Sequence, residues 1–155
     1  MDDAAFQAAV SKAPQLVHFV ASTTDLQAAR AALSKLGIDR GPAIAVKRHT
    51  RRGWLHWQIT VREDGQRLFN GALPTLIQWG APDDAEPLRL HPRNTLPRSG
   101  VSLQNIAVTH PQADALQAAY AAIGLQDVAV HSGPANLSAT LQTPKGLITL
   151  ESKGI

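Results

Sequence analysis

The hydrophobic and polar positions of this chain predict the same order of secondary-structure elements twice. In the first half, residues 15–22 alternate between apolar and polar positions and are rich in β-forming types, which indicates a strand. Residues 25–35 carry an apolar stripe with helical spacing, preceded by Thr23 or Thr24 as N-cap and ended by Gly37. Three further strands are expected at 42–48, 53–61 and 75–79. The predicted order is β-α-β-β-β.

The second half repeats this order. We expect a strand at residues 101–109, a helix at 111–123 that opens with Pro111, and three short strands. Those strands are expected near 127–132, 136–142 and 146–151. The pattern is again β-α-β-β-β.

The two predicted helices are also similar in sequence. Residues 25–33 read DLQAARAAL and residues 115–123 read ALQAAYAAI, with six of nine positions identical. The last strand of each half shares a second likeness, Leu76-Ile77-Gln78 in one and Leu147-Ile148-Thr149 in the other. Together with the repeated element order, these matches predict a duplicated folding unit.

The repeat sets the expected domain organisation. Phe6 and Val10 lie four residues apart, which predicts a helical extension over residues 1–14 that stops at Pro14. A first βαβββ module is expected at 15–80 and a second at 101–155. The proline-rich residues 81–100 show no periodicity and are expected to link them.

Composition narrows the class of protein. A chain of 155 residues that is 44% apolar is long enough for one compact core. No apolar run is long enough to span a bilayer, and the acidic start is unlike a signal peptide, so we expect a cytoplasmic protein. The absence of cysteine excludes disulfides, thiolate catalysis and thiolate metal sites. The net charge of +3 is only a weak bias.

A single βαβββ unit leaves one face of its sheet open, and two such units can share a concave cleft. The segments GWLHWQITV, GALPTLIQWG and SGVSLQNIAVTHP resemble the glyoxalase-like domain proteins of the vicinal oxygen chelate superfamily, which includes glyoxalases, bleomycin-resistance proteins and dioxygenases. The resemblance covers residues 15–153 and implies an α+β fold in which two βαβββ modules form a curved sheet around a cleft. Members often carry a further module upstream, so we expect a shortened relative or a fragment.

The resemblance also implies where a ligand would sit. In the superfamily, metal ligands project from the first and last strands of each module, and the matching positions here are His18, Gln78, Asn105 and Thr149. This set has no formal negative charge, whereas a divalent cation needs charge compensation. Two interpretations stay open: a divalent metal held by residues of this set, His18 and Gln78 among them, or a cleft that has lost its metal and belongs to a binding protein or a metal-free enzyme.

Two further side chains are candidates from the pattern alone. Trp54, His56 and Gln58 share one face of a strand, so His56 could act with His18 as a catalytic pair. Trp54 is a candidate for ligand contact, whereas Trp57 and Trp79 are expected to pack in the core. The remaining histidines are expected to be solvated: His49, His91, His110 and His131.

The only dense charge cluster is a basic turn made by Lys47, Arg48, Arg51 and Arg52. Such a turn is usually solvated, although it could attract an anionic small molecule, and nucleic acid is an unfavoured partner. No phosphate-binding loop or nucleophile elbow is present.

The sequence therefore predicts a protein that binds a small organic molecule, as a homodimer because open sheets of this kind commonly pair. Three hypotheses remain: a metal-dependent lyase, isomerase or dioxygenase; a sequestering protein of the bleomycin-resistance kind; and a regulatory remnant that needs a partner chain. Likeness of fold alone does not choose between them.

Overall fold

The computed structural model of the protein describes residues 14–154. Within these residues the chain forms two compact units. The first unit contains residues 20–66 and 74–98, and the second contains residues 14–19, 67–73 and 99–154. The predicted domain boundaries at 80 and 100 stay a prediction. Residues 14–19 and 67–73, which fall at or within the predicted first module, group with the second unit.

The first unit is a four-stranded sheet with one helix of ten residues. Strand β4 lies inside the sheet, parallel to β1 and antiparallel to β3, and the strand order is β1-β4-β3-β2. A helix of four residues, α2, lies in the proline-rich segment where no element was predicted. The elements are β1 (Val20–Ser22), α1 (Leu26–Lys35), β2 (Ala43–Thr50), β3 (Gly53–Thr60), β4 (Thr75–Trp79) and α2 (Pro92–Thr95).

The second unit is also a four-stranded sheet with one helix of ten residues. Its strand order is β6-β5-β7-β8, in which β5 is parallel to β6 and antiparallel to β7. A 3-10 turn, Leu68–Gly71, belongs to this unit although it precedes β4 in sequence. The elements are β5 (Ser102–His110), α3 (Ala113–Ala122), β6 (Ala129–Ser132), β7 (Asn136–Thr143) and β8 (Gly146–Glu151).

The predicted fold class is confirmed. Both halves have the order βαβββ, and the protein is an α+β protein with two mixed sheets. The strand order nevertheless differs, because the last strand of the first half is internal and the last strand of the second half is at an edge. No helix among residues 14–154 is long and apolar enough to cross a membrane.

Three predicted boundaries are wrong. The strand expected at 15–22 begins only at Val20, because Leu16 donates its N–H to the carbonyl of Glu151 in the second unit. The N-cap of α1 is Asp25, whose side chain accepts from Ala28 N. Helix α3 begins two residues after Pro111, with Gln112 as its N-cap. The extension predicted at 1–14 lies outside the described residues except for Pro14, which is not helical.

Helix α1 covers one face of the first sheet. Leu26 and Leu33 are fully buried, and Leu76 of β4 is 1% exposed. Burying each such side chain contributes roughly 1.5–3 kcal/mol. The Nε of Arg40, which is also buried, donates to the carbonyl of Pro74 and so fixes the start of β4.

The other face of the first sheet is covered by the proline-rich segment. His91 lies against Trp79, and Leu90 lies beside Gly53 at the start of β3. Leu90 is buried, as is Ile77 on the same face as Trp79. The segment predicted to be a linker is therefore part of the first unit, folded back over its sheet.

A left-handed turn is the unusual backbone feature of the second unit. Phe69 and Asn70 have φ values of 53° and 55°, which non-glycine residues rarely adopt. Nδ1 of His18 bonds the carbonyl of Gly71, and the hydroxyl of Tyr120 donates to the carbonyl of Ala72. These side-chain bonds hold the strained turn in place.

Candidate functional site

A cavity of about 500 Å³ lies within the first unit, where β1 leads into α1 and β4 leads into the proline-rich segment. Its volume falls in the range of small-molecule sites, roughly 300–1,000 Å³. Its lining combines hydroxyls, an amide, two aromatic rings and both signs of charge. The residues are Ser22, Thr23, Thr24, Gln78, Trp79, Ala81, Pro82, Asp84, Pro87, Leu88, His91 and Arg93.

Gln78 is the one predicted site residue in this cavity. It shares its strand face with Leu76, so its side chain is directed towards α1. The Oε1 atom accepts a hydrogen bond of 2.8 Å from the backbone N–H of Leu26, at the first position of that helix. An otherwise unsatisfied helix N–H is thereby capped from a neighbouring strand.

Trp79 and His91 form the aromatic part of the cavity, with ring centroids 4.6 Å apart. His91 is the N-cap of α2, and its Nδ1 accepts from Arg93 N at 3.0 Å. Burial, and secondarily the charge of Arg93, lower the pKa of His91, so the imidazole is neutral at pH 7. With Nδ1 acting as the acceptor, the neutral ring carries its proton on Nε2.

The shape of the cavity depends on a close backbone approach at Gly80. This residue has a φ of 93°, and a Cβ at this position would collide with Pro87. The N–H of Gly80 donates to the carbonyl of His56 at 2.8 Å. Glycine is therefore required where the chain turns back after β4 to form the cavity wall.

The polar rim carries opposite charges. Arg93 and Asp84 are both exposed, and the Oδ1 of Asp84 accepts from Glu86 N at 2.9 Å. Thr23 uses its Oγ1 to accept from Asp25 N at 3.2 Å. Four acceptor atoms of the lining are thus bonded to backbone N–H groups: Gln78 Oε1, His91 Nδ1, Thr23 Oγ1 and Asp84 Oδ1.

Trp54 and His56 belong to the first unit but do not line this cavity. Trp54 is 53% exposed, with Lys47 Nζ 5.1 Å from its ring centroid and His49 in edge contact. His56 is half-buried in β3 and pairs in register with Lys47. Their predicted ligand-binding and catalytic roles stay predictions.

The other predicted site residues lie in the second unit. Asn105 is exposed at a register shift in β5, between β6 and β7. Thr149 is exposed on the edge strand β8, and its hydroxyl lies 3.2 Å from that of Thr140. His18 precedes β1 and bonds the carbonyl of Gly71 at 2.8 Å. Asn105 is therefore in an internal strand, as Gln78 is, whereas Thr149 is in an edge strand and His18 lies outside the strands.

The prediction that all four remaining histidines are solvated is wrong for His110, which is 5% exposed. Its Nε2 bonds the Oδ1 of Asn70 at 3.0 Å, and its Nδ1 accepts from Gln112 N at 3.0 Å. Burial lowers the pKa of His110 and raises that of Tyr120. His91 is half-buried, whereas His49 and His131 are exposed as predicted.

The donor atoms do not fit a resident metal ion. Only the oxygen of a glutamine amide can ligate a cation, and the Oε1 of Gln78 is engaged by Leu26 N. Residues 14–154 contain no group of three or more His, Asp or Glu side chains that could hold a metal ion. Gln78 also supplies no negative charge to compensate that of a divalent cation.

The sequence interpretation missed His91, Thr23 and Arg93 as cavity residues. A signal was present in the segment HPRNT, where an N-cap side chain is followed by proline at the first helical position. That signal predicts a short helix at residue 92. It does not predict that the segment folds back onto Trp79.

The repeated βαβββ order defines an α+β protein with two βαβββ halves. The glyoxalase-like domain family matches residues 2–124. The chain therefore belongs to the glyoxalase-like domain family, which confirms the resemblance to the vicinal oxygen chelate superfamily.

Comparison with individual proteins adds little to the family assignment. Among curated proteins, none matches the chain. One similar solved structure is titled "Crystal Structure of a hypothetical protein from Staphylococcus aureus", with 14% identity and a TM-score of 0.48. The match covers 87% of this chain and 51% of that chain, so the protein spans about half the length of that structure.

Proposed function

We propose that this glyoxalase-like protein binds a small organic molecule in the cavity beside β4. The observation that carries the proposal is the cavity itself, which combines the rings of Trp79 and His91 with the amide of Gln78. A concave site with apolar surface and a few fixed polar groups is the usual form of a small-molecule site.

The polar groups of the cavity are held in defined orientations. The bond to Leu26 N fixes the Gln78 amide, and the bond from Arg93 N fixes the His91 ring. Because the chain pays no ordering entropy for these groups when a ligand arrives, their arrangement favours binding.

Binding without a resident metal is favoured over metal-dependent catalysis because the predicted ligands are uncharged and residues 14–154 contain no group of three or more His, Asp or Glu side chains that could hold a metal ion. The alternative is a lyase, isomerase or dioxygenase in which His18 and Gln78 hold a divalent ion and His56 assists. It requires about one ion per chain after purification without chelator, and loss of both metal and turnover in His18→Ala. Elemental analysis of the purified protein distinguishes the two, and stoichiometric metal would refute our choice.

A planar-fragment library tests the binding proposal, with the three tryptophan indole N–H signals as the readout. We expect binders to shift the signal of Trp79 and leave that of exposed Trp54 unchanged. Thr24→Phe places a large ring at the cavity mouth and should abolish binding, because Thr24 is exposed and lines the cavity.

Ala28→Phe is the matched control, since Ala28 is exposed on α1 and does not line the cavity. Equal binding by both variants, or binders that shift only Trp54, would place the site elsewhere.

We also propose that the protein is a cytoplasmic homodimer. The support is the lack of cysteine and the presence of edge strands such as β2 and β8, each of which is paired on only one side within its own sheet. Light scattering at micromolar concentration tests the dimer, and a monomeric mass would refute it.

A further inference from the structure

In three hydrogen bonds around the cavity, the lining side chain is the acceptor. Gln78 Oε1 accepts from Leu26 N, His91 Nδ1 accepts from Arg93 N, and Thr23 Oγ1 accepts from Asp25 N. In all three, a side-chain acceptor bonds a backbone N–H at or next to a helix start. The acceptor atoms of these lining side chains are therefore used within the protein.

The donor groups of Gln78 and His91 have no hydrogen-bond partner among residues 14–154. A backbone N–H can only donate, so the atom of Gln78 that meets Leu26 N is the oxygen and the NH2 group is the free end. By the same reasoning, neutral His91 carries a hydrogen on Nε2. Among residues 14–154, no hydrogen bond engages the amide nitrogen of Gln78 or the Nε2 of His91.

Arg93 adds charged donors at the rim of the cavity. The Arg93 guanidinium makes no ion pair within the part of the chain that the structure describes. Asp84 is the one carboxylate in the lining, and Glu86 N already donates to its Oδ1. Arg93, by contrast, keeps all its donors for a ligand.

We propose that the ligand of this cavity is a planar organic carboxylate, with its ring against Trp79 and His91 and its oxygens accepting from Gln78 and Arg93. This inference rests on the proposed function and names the chemical class of its ligand. A carboxylate has only acceptor atoms at neutral pH, which complements the free donors of Gln78, His91 and Arg93. A ligand with an ammonium group would leave those donors unpaired.

Three probes with the same ring separate the possibilities: 2-naphthoate, 2-naphthylmethanol and 2-naphthylmethylammonium. Titrations are followed on the indole signal of Trp79, with that of Trp54 as internal reference. We expect 2-naphthoate to bind at least about tenfold more tightly than the ammonium probe, since hydrogen bonds to charged groups are the stronger ones.

Gln78→Glu is the decisive variant because it changes the free end of the side chain and keeps the helix cap. One carboxylate oxygen can still accept from Leu26 N, while the NH2 donor becomes an oxygen that repels a carboxylate ligand. We expect 2-naphthoate affinity to fall about tenfold or more, with α1 intact by circular dichroism.

Gln27→Glu makes the same change of charge on the exposed side of α1 and serves as control. Equal affinities in these two variants would refute the role of Gln78. Preference for the ammonium probe would refute the ligand class and leave the proposed function standing. Failure of all three probes to shift Trp79 would contradict both.

Discussion

The two βαβββ halves have the same order of elements and similar helices, yet they build different sheets. In the first half the last strand, β4, lies between β1 and β3, whereas in the second half the last strand, β8, is at the sheet edge. Leu76 in β4 is 1% exposed and Leu147, its counterpart in the repeat, is 65% exposed. A repeated sequence motif therefore does not imply a repeated environment.

Connection length explains the difference. Strands β7 and β8 are joined by the tight turn at Pro144 and Lys145, which requires them to be neighbours in an antiparallel pair. Strand β4 follows β3 after a long connection, residues 61–74, and is free to insert beside β1. The tight turn of the first half instead joins β2 to β3.

The largest expected effect tests this difference in burial directly. Leu76→Ala should lower the free energy of unfolding by about 2–5 kcal/mol, because it leaves a cavity between β4 and α1. Leu147→Ala should change it by no more than about 0.5 kcal/mol. Urea unfolding of both variants measures the contrast, and equal losses would mean that the two strands are equivalent after all.

The chain reversal after β4 gives the next largest effect. Gly80 and Gly124 both have positive φ, but a Cβ meets Pro87 at the first and open space at the second. Alanine should cost about 1–2 kcal/mol at Gly124 from backbone strain alone. At Gly80 the collision should add about 1–3 kcal/mol, measured by the same unfolding curves. A Gly80→Ala variant as stable as Gly124→Ala would argue against the folded-back segment.

Helix capping by the polar residue of the last strand should give a smaller difference in stability between the two halves. Gln78→Leu removes the acceptor for Leu26 N and should destabilise the protein by about 1 kcal/mol. Thr149→Val, at the matching position of the repeat, should have an effect below about 0.5 kcal/mol. Thermal unfolding compares the pair, and a larger loss from Thr149→Val would reverse the assignment.

The smallest effect is a dependence on pH located in the second half. The lowered pKa of His110 means that the unfolded chain binds its proton first, so stability falls as pH drops below the ordinary histidine value, about 6.5. One group contributes a slope of at most about 1.4 kcal/mol per pH unit. Protonated His110 cannot accept from Gln112 N, next to α3, whereas α1 is capped by Asp25 and Gln78.

Hydrogen exchange at pH 7 and pH 5 tests the location of that effect. We expect the first-turn amides of α3 to lose protection at the lower pH and those of α1 to keep it. His110→Gln should flatten the dependence. A uniform change in both helices would point to another group, such as His91, whose pKa is also lowered.

The sequence predicted the elements well because they depend on local periodicity. Leu26, Ala29 and Leu33 are buried as the helical stripe requires, and β3 and β4 have nearly the expected bounds. Strand pairing is a long-range property, so the internal place of β4 and the edge place of β8 could not be read from alternation. Connection lengths contained part of that information.

The candidate site was predicted only in part. Gln78 stood out as a polar residue in an apolar strand, and it does line the cavity. Periodicity could not show that its oxygen caps a helix, nor that His91 comes back to Trp79 from a segment with four prolines. Both facts depend on contacts between residues far apart in sequence.

The bond between Asn70 and His110 also governs the chemical lifetime of the chain. Asn70 precedes Gly71, and an asparagine-glycine pair deamidates when the glycine nitrogen attacks the side-chain amide. In the folded protein the Oδ1 of Asn70 is held by His110 Nε2, and the left-handed backbone is fixed as well. Unfolding releases both restraints. Samples stored under denaturing conditions should therefore accumulate isoaspartate at this position, and the isoaspartate should remain in the chain after refolding.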